Sequence, residues 1–192
     1  ILEAMREVLA DYFGVDEPER IVFTSGASEA NNAVIRHLAA AGGVIAVSGL
    51  EHPCVLAPVE AFFPEDRIRR IPVVPETGVI DLEMLGNWIA GGELACVSVM
   101  AANNETGALQ PWREIAALCR EAGTRYHTDA AQWIGKRPVA GLAACDFVTA
   151  SGHKFGGGKG VGFLVLPEDF EEVDFHSQIG GPQEEGRRAG TE

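Results

Sequence analysis

The chain has 192 residues, of which 46% are hydrophobic and 22% are charged, a composition typical of a globular domain with a sizeable core. Its formal net charge of -13 argues against a nucleic-acid surface, which needs clustered lysine and arginine. No apolar run reaches the roughly 18 residues that a membrane-spanning helix requires, so no membrane association is expected. These properties predict a soluble, cytoplasmic protein.

Helical and strand patterns alternate from one end of the chain to the other. In chain order, the pattern predicts helix 1–13, strand 21–24, helix 28–41, strand 44–47, a helix after His52, strand 68–73, helix 82–90, strand 94–100, helix 111–123 and strands 125–128, 147–150 and 161–166. Gly14 is predicted to cap the first helix and Ser28 to begin the second. Such alternation is typical of a three-layer α/β/α sandwich with a mostly parallel sheet.

The ends of the chain and its even composition predict one domain of a longer protein. The chain begins at Ile1 and stops after a charged, glycine-rich stretch, so we expect a fragment of a longer protein. No linker or low-complexity tract divides it, and residues 1–192 are interpreted as one domain.

The cysteines are widely spaced and form no CxxC pair, so all are predicted to be reduced, structural thiols: Cys54, Cys96, Cys119 and Cys145.

Residues 24–29 (TSGASE) form a turn between a predicted strand and a predicted helix. Backbone N–H groups and the Ser28 hydroxyl would converge there at the positive end of the helix dipole, which suits a phosphate group. An ordinary glycine-containing turn with a serine cap explains the same residues equally well.

Polar residues follow three further strands. His52, Asn103, Asn104 and Asp129 each stand where α/β folds place groups that face a ligand. Each also has a structural explanation, because a single histidine is more often structural, an asparagine pair suits a turn, and an aspartate often caps a helix. Taken one at a time, these residues favour the structural explanation.

Lys154 follows the apolar strand 147–150 and precedes the glycine-rich run 156–160 (GGGKG). Lysines are normally solvated, but one enclosed by small residues after a buried strand predicts a desolvated amine suited to nucleophilic chemistry. The run does not fit a P-loop, because His153 stands where its first glycine belongs and no serine or threonine follows Lys159. With no GxGxxG after the first strand either, ATP and NAD are not favoured.

Together, these groups are more specific than any one of them. A phosphate cradle, a histidine ring, a carboxylate and an amine at strand ends on one side of a sheet match pyridoxal 5'-phosphate (PLP), whose ring nitrogen needs an acid and whose aldehyde needs an amine. No metal ligands are predicted.

The residues resemble the cysteine desulfurases of the NifS/IscS type, in the class V aminotransferase group of fold-type I PLP enzymes. Six blocks carry the resemblance, in order and over essentially the whole chain: residues 24–32 (TSGASEANN), 51–56 (EHPCVL), 103–111 (NNETGALQP), 127–132 (HTDAAQ), 151–162 (SGHKFGGGKGVG) and 180–192 (GGPQEEGRRAGTE). The fold implied is that of the PLP-binding large domain.

For the phosphate, the resemblance implies contacts from Ala27, Ser28, Ser151 and His153. Ser28 stands where the family usually has threonine, and the hydroxyl survives that change. A threonine at the position of Thr191 reaches the phosphate held by the other subunit in such enzymes, which implies a homodimer with shared sites.

For the ring and aldehyde, the resemblance implies that His52 stacks on the pyridine ring and that Asn104 and Gln132 address its hydroxyl. Asp129 would pair with the ring nitrogen, and Lys154 would form the Schiff base. His52, Asp129 and Lys154 are the predicted catalytic residues.

The implied reaction converts L-cysteine to L-alanine and leaves the sulfur as a persulfide on an enzyme cysteine, for a sulfur acceptor or an iron–sulfur scaffold protein. The N-terminal arm, the small domain, the sulfur-accepting cysteine and the substrate-carboxylate arginine would all lie outside this chain, so the fragment alone is expected to be inactive. Alternatives are a selenocysteine lyase, another class V aminotransferase, and a non-catalytic dimerisation or binding domain.

Overall fold

The computed structural model describes residues 1–172 and 175–190, and a seven-stranded sheet forms its centre. The strands described are β1 Ile21–Thr24, β2 Ile45–Ser48, β3 Ile68–Ile71, β4 Val73–Val74, β5 Val79–Ile80, β6 Cys96–Ser98, β7 Arg125–Asp129, β8 Phe147–Ser151 and β9 Gly162–Val165. The α-helices described are α1 Leu2–Phe13, α2 Ala27–Ala41, α3 Pro53–Phe62, α4 Leu82–Ala90 and α5 Trp112–Ala122. None of these helices is long and apolar enough to span a membrane.

The direction of the strands determines where the site lies. The sheet order is β1-β9-β8-β7-β6-β2-β3, and neighbouring strands from β8 to β3 pair in parallel. Only β9 runs against its two neighbours within this sheet, so β1 points the same way as β8. The loops that follow β1, β2, β6, β7 and β8 therefore leave from one edge of the sheet.

Helices cover both faces of the sheet, as the three-layer prediction required. Ala30 and Val34 of α2 and Val59 of α3 belong to one buried cluster, whereas Leu85 of α4 and Ile115 of α5 belong to the other, together with part of α1. Neighbouring residues of one strand enter opposite clusters because successive side chains point to opposite faces. The α/β/α sandwich with a mostly parallel sheet is confirmed.

The structure corrects several predicted boundaries. Helix α2 begins at Ala27 after Gly26, so Ser28 lies inside the first turn and does not cap it. The predicted strand 68–73 ends at Ile71, and Val73–Val74 pairs instead with Val79–Ile80. Pro72 lies at this break and has no N–H group to donate to a strand ladder.

Candidate active site

A cavity of about 460 Å³ lies at the edge where the parallel strands end, and its size is within the range of small-molecule sites. Nine of the ten predicted cofactor-binding residues line it: Ala27, Ser28, His52, Asn104, Asp129, Gln132, Ser151, His153 and Lys154. The tenth, Thr191, lies outside the described residues.

The turn between β1 and α2 forms one end of the cavity. No side chain caps α2 at Gly26, and the first N–H groups of a helix have no partner within it. Gly162 of β9 permits this arrangement, because a Cβ there would stand 2.5 Å from the Gly26 Cα. Ser151 Oγ lies 3.0 Å from His153 Nδ1. Backbone N–H groups, hydroxyls and an imidazole are suitable donors for a phosphate group.

Glu29 ties this turn to the C-terminal segment. Its carboxylate accepts hydrogen bonds from the Ser25 backbone N–H at 2.8 Å and from Arg188 Nε at 2.8 Å. Burial by itself raises the pKa of Glu29, but the hydrogen bonds from Arg188 and Ser25 outweigh it and lower this pKa to about 2. The turn is therefore held by a charged carboxylate that is itself paired.

Asp129, the last residue of β7, is a buried residue of the cavity lining. Its Oδ1 accepts from the Ala131 N–H at 2.9 Å, and its Oδ2 accepts from Asn31 Nδ2 at 2.7 Å. Burial raises its pKa, and these two hydrogen bonds act in the opposite direction by favouring the ionised form. A carboxylate fixed in this way can hold a cation inside the cavity.

Sequence reasoning gave no role to Asn31, which is buried beside Asp129. A signal was present in the sequence: Asn31 shares one face of α2 with the buried residues Ala27, Val34 and Leu38, at positions where a helix buries apolar side chains. A polar residue on such a face requires hydrogen-bond partners in the folded protein.

Glu51 is a second buried carboxyl group that sequence reasoning passed over. Its Oε1 accepts from the Met100 N–H at 2.7 Å, and its Oε2 has no hydrogen-bond partner among the described residues. Burial raises the pKa of Glu51 well above its usual range. We therefore interpret Glu51 as a neutral carboxylic acid that ties the strand-end segments of β2 and β6 together.

The two asparagines after β6 separate into different roles. Asn103 is buried, and its Oδ1 accepts from the N–H groups of Glu105 and Thr106, which is turn chemistry. Asn104 is exposed and faces the cavity.

His52 has both a structural contact and a place at the cavity. Its Nδ1 caps α3 by accepting from the Cys54 N–H at 3.1 Å, and the exposed residue lines the cavity.

The prediction that Lys154 is desolvated is wrong. Lys154 is exposed, at the end of a short turn, Gly152–Lys154, that follows β8. Residues 156–160 do not cover it, since this glycine-rich stretch is exposed and folds back so that the Gly157 N–H donates to the Gly152 carbonyl at 2.9 Å. Its amine therefore has room to move at the cavity rim.

The cysteines also divide. Cys96, Cys119 and Cys145 are buried free thiols, as predicted, and burial raises the pKa of each. Cys54 is different, because it is only partly buried and lines the cavity, with its Sγ 3.0 Å from His52 Nδ1. Burial raises the pKa of Cys54 as well, which favours the protonated thiol.

This fold, with its site at the strand ends, matches the Aminotransferase class-V family over residues 1–187, and the chain belongs to that family. Two relatives that the chain matches are named as cysteine desulfurases. It is 41% identical to the cysteine desulfurase IscS of Rickettsia typhi and 39% identical to the mitochondrial cysteine desulfurase of Drosophila melanogaster, over 99% of this chain in both cases. The alignments cover 47% and 42% of those proteins, so the chain spans about half the length of these curated relatives.

Solved structures give the same result. A NifS-like protein superposes with a TM-score of 0.87 at 33% identity, covering 99% of this chain and 53% of that one. DndA from Streptomyces lividans superposes with a TM-score of 0.87 at 36% identity, covering 98% and 55%. A structure of SspA in complex with cysteine superposes with a TM-score of 0.86 at 33% identity, covering 97% and 55%. The resemblance to the cysteine desulfurases is confirmed.

Proposed function

We propose that this chain is the cofactor-binding large domain of a PLP-dependent cysteine desulfurase. One observation carries the proposal: a single cavity brings together the Lys154 amine, the buried Asp129 carboxylate, the His52 imidazole and the uncapped start of α2. These groups come from four different strand ends and are far apart in the sequence. A structural role for each by itself does not explain why they share one cavity.

The donor set fits PLP group by group. The uncapped α2 N-terminus, with Ser28, Ser151 and His153, suits a phosphate dianion. The Asp129 carboxylate lies deep in the cavity, as the partner of a protonated ring nitrogen should. Lys154 supplies the amine for the aldehyde. PLP would then supply an electron sink for negative charge that develops on the substrate's α-carbon.

The residues of the chain would have distinct tasks in this reaction. Asp129 would hold a proton on the ring nitrogen, since its two oxygens are already oriented by Asn31 and the Ala131 N–H. Lys154, exposed at the rim, would hold the cofactor's aldehyde through its Nζ and, when not bound to it, would move a proton on the same atom. His52 would orient the ring from the start of α3.

The proposed substrate is L-cysteine, in keeping with the names of the relatives and with cysteine in the SspA structure. The C–S bond of cysteine would break to give L-alanine, and the sulfur would pass to an enzyme thiol as a persulfide. Burial disfavours the thiolate at each of the four cysteines, so we place the accepting thiol outside residues 1–192.

The proposal includes the remaining parts of the enzyme. A homodimer would bring Thr191 to the phosphate of the other subunit, and a sulfur-acceptor or iron–sulfur scaffold protein would receive the persulfide. The N-terminal arm and the small domain would flank the large domain, and the enzyme would work in the cytoplasm.

Alanine and sulfide release test this function. Full-length protein with PLP, L-cysteine and a thiol reductant should release alanine and sulfide in equal amounts, whereas residues 1–192 alone should not exceed the rate of free PLP. L-selenocysteine assayed in parallel distinguishes a lyase selective for selenium. Full-length protein that binds PLP but releases no alanine from L-cysteine would contradict the assignment.

A further inference from the structure

Asn31 uses both ends of its buried amide in hydrogen bonds. Its Nδ2 donates to Asp129 Oδ2 at 2.7 Å and to Cys54 Sγ at 3.1 Å. Its Oδ1 accepts from Thr149 Oγ1 and lies 3.1 Å from His127 Nε2. All of the amide's hydrogen-bonding positions are therefore directed at specific neighbours, two of which line the cavity.

The protonation of His127 follows from its surroundings. Burial lowers the pKa of His127 to about 3, so the ring is neutral near neutral pH and carries one N–H group. Because Asn31 Oδ1 can only accept, Nε2 carries the proton and Nδ1 accepts from the Ser98 hydroxyl at 2.8 Å. A buried chain of hydrogen bonds thus runs from Ser98 through His127 and Asn31 to Asp129.

The Asp129 carboxylate, which can only accept, determines which end of the amide faces it. A rotated amide would place the Asn31 oxygen against the Asp129 oxygens and would direct its N–H donors toward the Thr149 hydroxyl and the His127 ring. The first contact would be repulsive between two acceptors. In the observed orientation, Asn31 Nδ2 donates to Asp129 Oδ2. The contacts of Asn31 Oδ1 with Thr149 and His127 keep the amide in that orientation.

The surroundings of Asp129 make that donor important. Burial opposes its ionisation, and only the Asn31 amide and the Ala131 N–H donate to its oxygens among the described residues. The other titratable groups that face it are Glu51, His52 and Cys54 from the β2–α3 segment, His127 from β7 and Lys154 after β8. Glu51 and His127 are neutral by the arguments above and cannot neutralise its charge, whereas Coulombic interactions with His52 and Lys154 also lower the pKa of Asp129, to a smaller extent than the two hydrogen bonds.

We propose that Asn31 is a positioning residue for Asp129, which it keeps ionised and oriented toward the cavity. The effect of Asn31 on the charge and orientation of Asp129 does not depend on a bound cofactor. The statement that the cation held there is the PLP ring nitrogen rests on the proposed function.

The first test needs no cofactor. In full-length protein without PLP, the ¹³C carboxyl resonance of Asp129, assigned by its loss in Asp129→Asn, is titrated with pH. Asn31→Leu removes the donor, and Asn31→Asp keeps the size and replaces the donor with an acceptor. Each variant should bind the Asp129 proton at least about tenfold more tightly, and Asn31→Asp should have the larger effect.

Thr149→Val is the matched control. It removes a hydrogen bond to the same amide but leaves the Asn31 donor facing Asp129. If Asn31 had a purely structural role, substitutions at Asn31 and at Thr149 would both lower the melting temperature, and neither would change the pH midpoint of the Asp129 titration. The proposal is overturned if both Asn31 variants titrate like the unmodified protein, or if Thr149→Val moves the Asp129 midpoint equally.

The second test adds the cofactor. In holoenzyme with ¹⁵N-labelled PLP, the ring-nitrogen resonance should report less protonation in Asn31→Leu than in Thr149→Val. An unchanged resonance, despite a shifted Asp129 midpoint, would overturn the link to the cofactor. Failure of the unmodified protein to bind PLP would contradict the proposed function instead, and the carboxyl titration would still decide the role of Asn31.

Discussion

Two walls of one cavity are built on different principles. We define the deep wall as Asp129, which lines the cavity, together with the buried residues Asn31 and Glu51 that interact with it from outside the lining, and the outer wall as Lys154 and Lys159. Every member of the deep wall is buried and hydrogen-bonded: Glu51 and Asp129 accept from backbone or amide N–H groups, and Asn31 Oδ1 accepts from the Thr149 hydroxyl. Both lysines of the outer wall are exposed, beside a stretch rich in glycine.

The difference indicates how the proposed chemistry is divided. A charge that must stay at one atom requires fixed donors, because reorganising a buried polar group during the reaction would be costly. An amine that must exchange partners requires freedom to move, and exposure provides it. In this protein the carboxylate is prepared in advance, and the amine is left free.

The largest expected effect is at the outer wall, where both lysines are exposed and line the cavity but only Lys154 is proposed to bind the cofactor. Lys154→Ala should abolish cysteine turnover and the borohydride-dependent attachment of PLP, because Lys154 is the amine proposed to form the covalent bond. Lys159→Ala is the control, since Lys159 is also exposed and lines the same cavity. Mass spectrometry of the reduced holoenzyme locates the modified residue, and PLP found on Lys159 would refute the assignment.

At the deep wall, Asp129→Asn should leave PLP bound but lower turnover by about 100-fold or more, since an amide cannot hold a proton on the ring nitrogen and the stabilisation of developing charge is lost. Absorbance gives cofactor occupancy, and alanine release gives turnover. Asp66→Asn, at an exposed aspartate, is the control. Near-normal turnover in Asp129→Asn would show that the buried carboxylate is structural.

The pH dependence of stability tests whether the buried Glu51 is a neutral acid or a charged carboxylate. Because burial raises its pKa, folded protein holds a proton that the unfolded chain releases near its usual value of 4.5. Stability from this proton is fully present below that value and declines as pH rises toward the folded pKa. Glu51→Gln keeps an oxygen for the Met100 N–H and should remove this decline.

Urea unfolding of both proteins at about pH 5 and about pH 8 measures the difference. The free energy of unfolding of Glu51→Gln, relative to the unmodified protein, should rise by about 1.4 kcal/mol per pH unit over the range in which Glu51 stays protonated. The exposed Glu60→Gln should show no such trend. Parallel pH dependence in Glu51→Gln and the unmodified protein would mean that Glu51 is ionised when folded.

The smallest effect is expected at Cys54, which touches the deep wall through Asn31. Its thiol is protonated because burial raises its pKa, and the thiolate is the reactive form. Cys54→Ala in full-length protein should therefore release alanine and sulfide at close to the unmodified rate, and Cys54→Ser, which keeps an acceptor for Asn31, should match it. Loss of sulfide release in both variants would identify Cys54 as the sulfur acceptor.

Much of the fold and the site could be predicted because the signals are local. The spacing of apolar residues predicted α4 over its full length, and it predicted β1 and the cap at Gly14. Parallel strands end at one edge, so polar residues at the ends of several strands were expected to meet, and one cavity is lined by Ser28, His52, Asn104, Asp129 and Lys154. Periodicity within a short window is enough for such predictions.

Three features were decided by tertiary structure: the amide network of Asn31, the buried acid Glu51 and the exposure of Lys154. Asn31 and Asp129 are 98 residues apart in the chain, and Glu51 and Met100 are 49 apart, so no local pattern pairs them. Burial of Lys154 depended on whether distant segments cover the cavity rim, and among the described residues none does. Helices and strands form from spacing along the chain, whereas the burial and charge of a polar group depend on which distant elements pack around it.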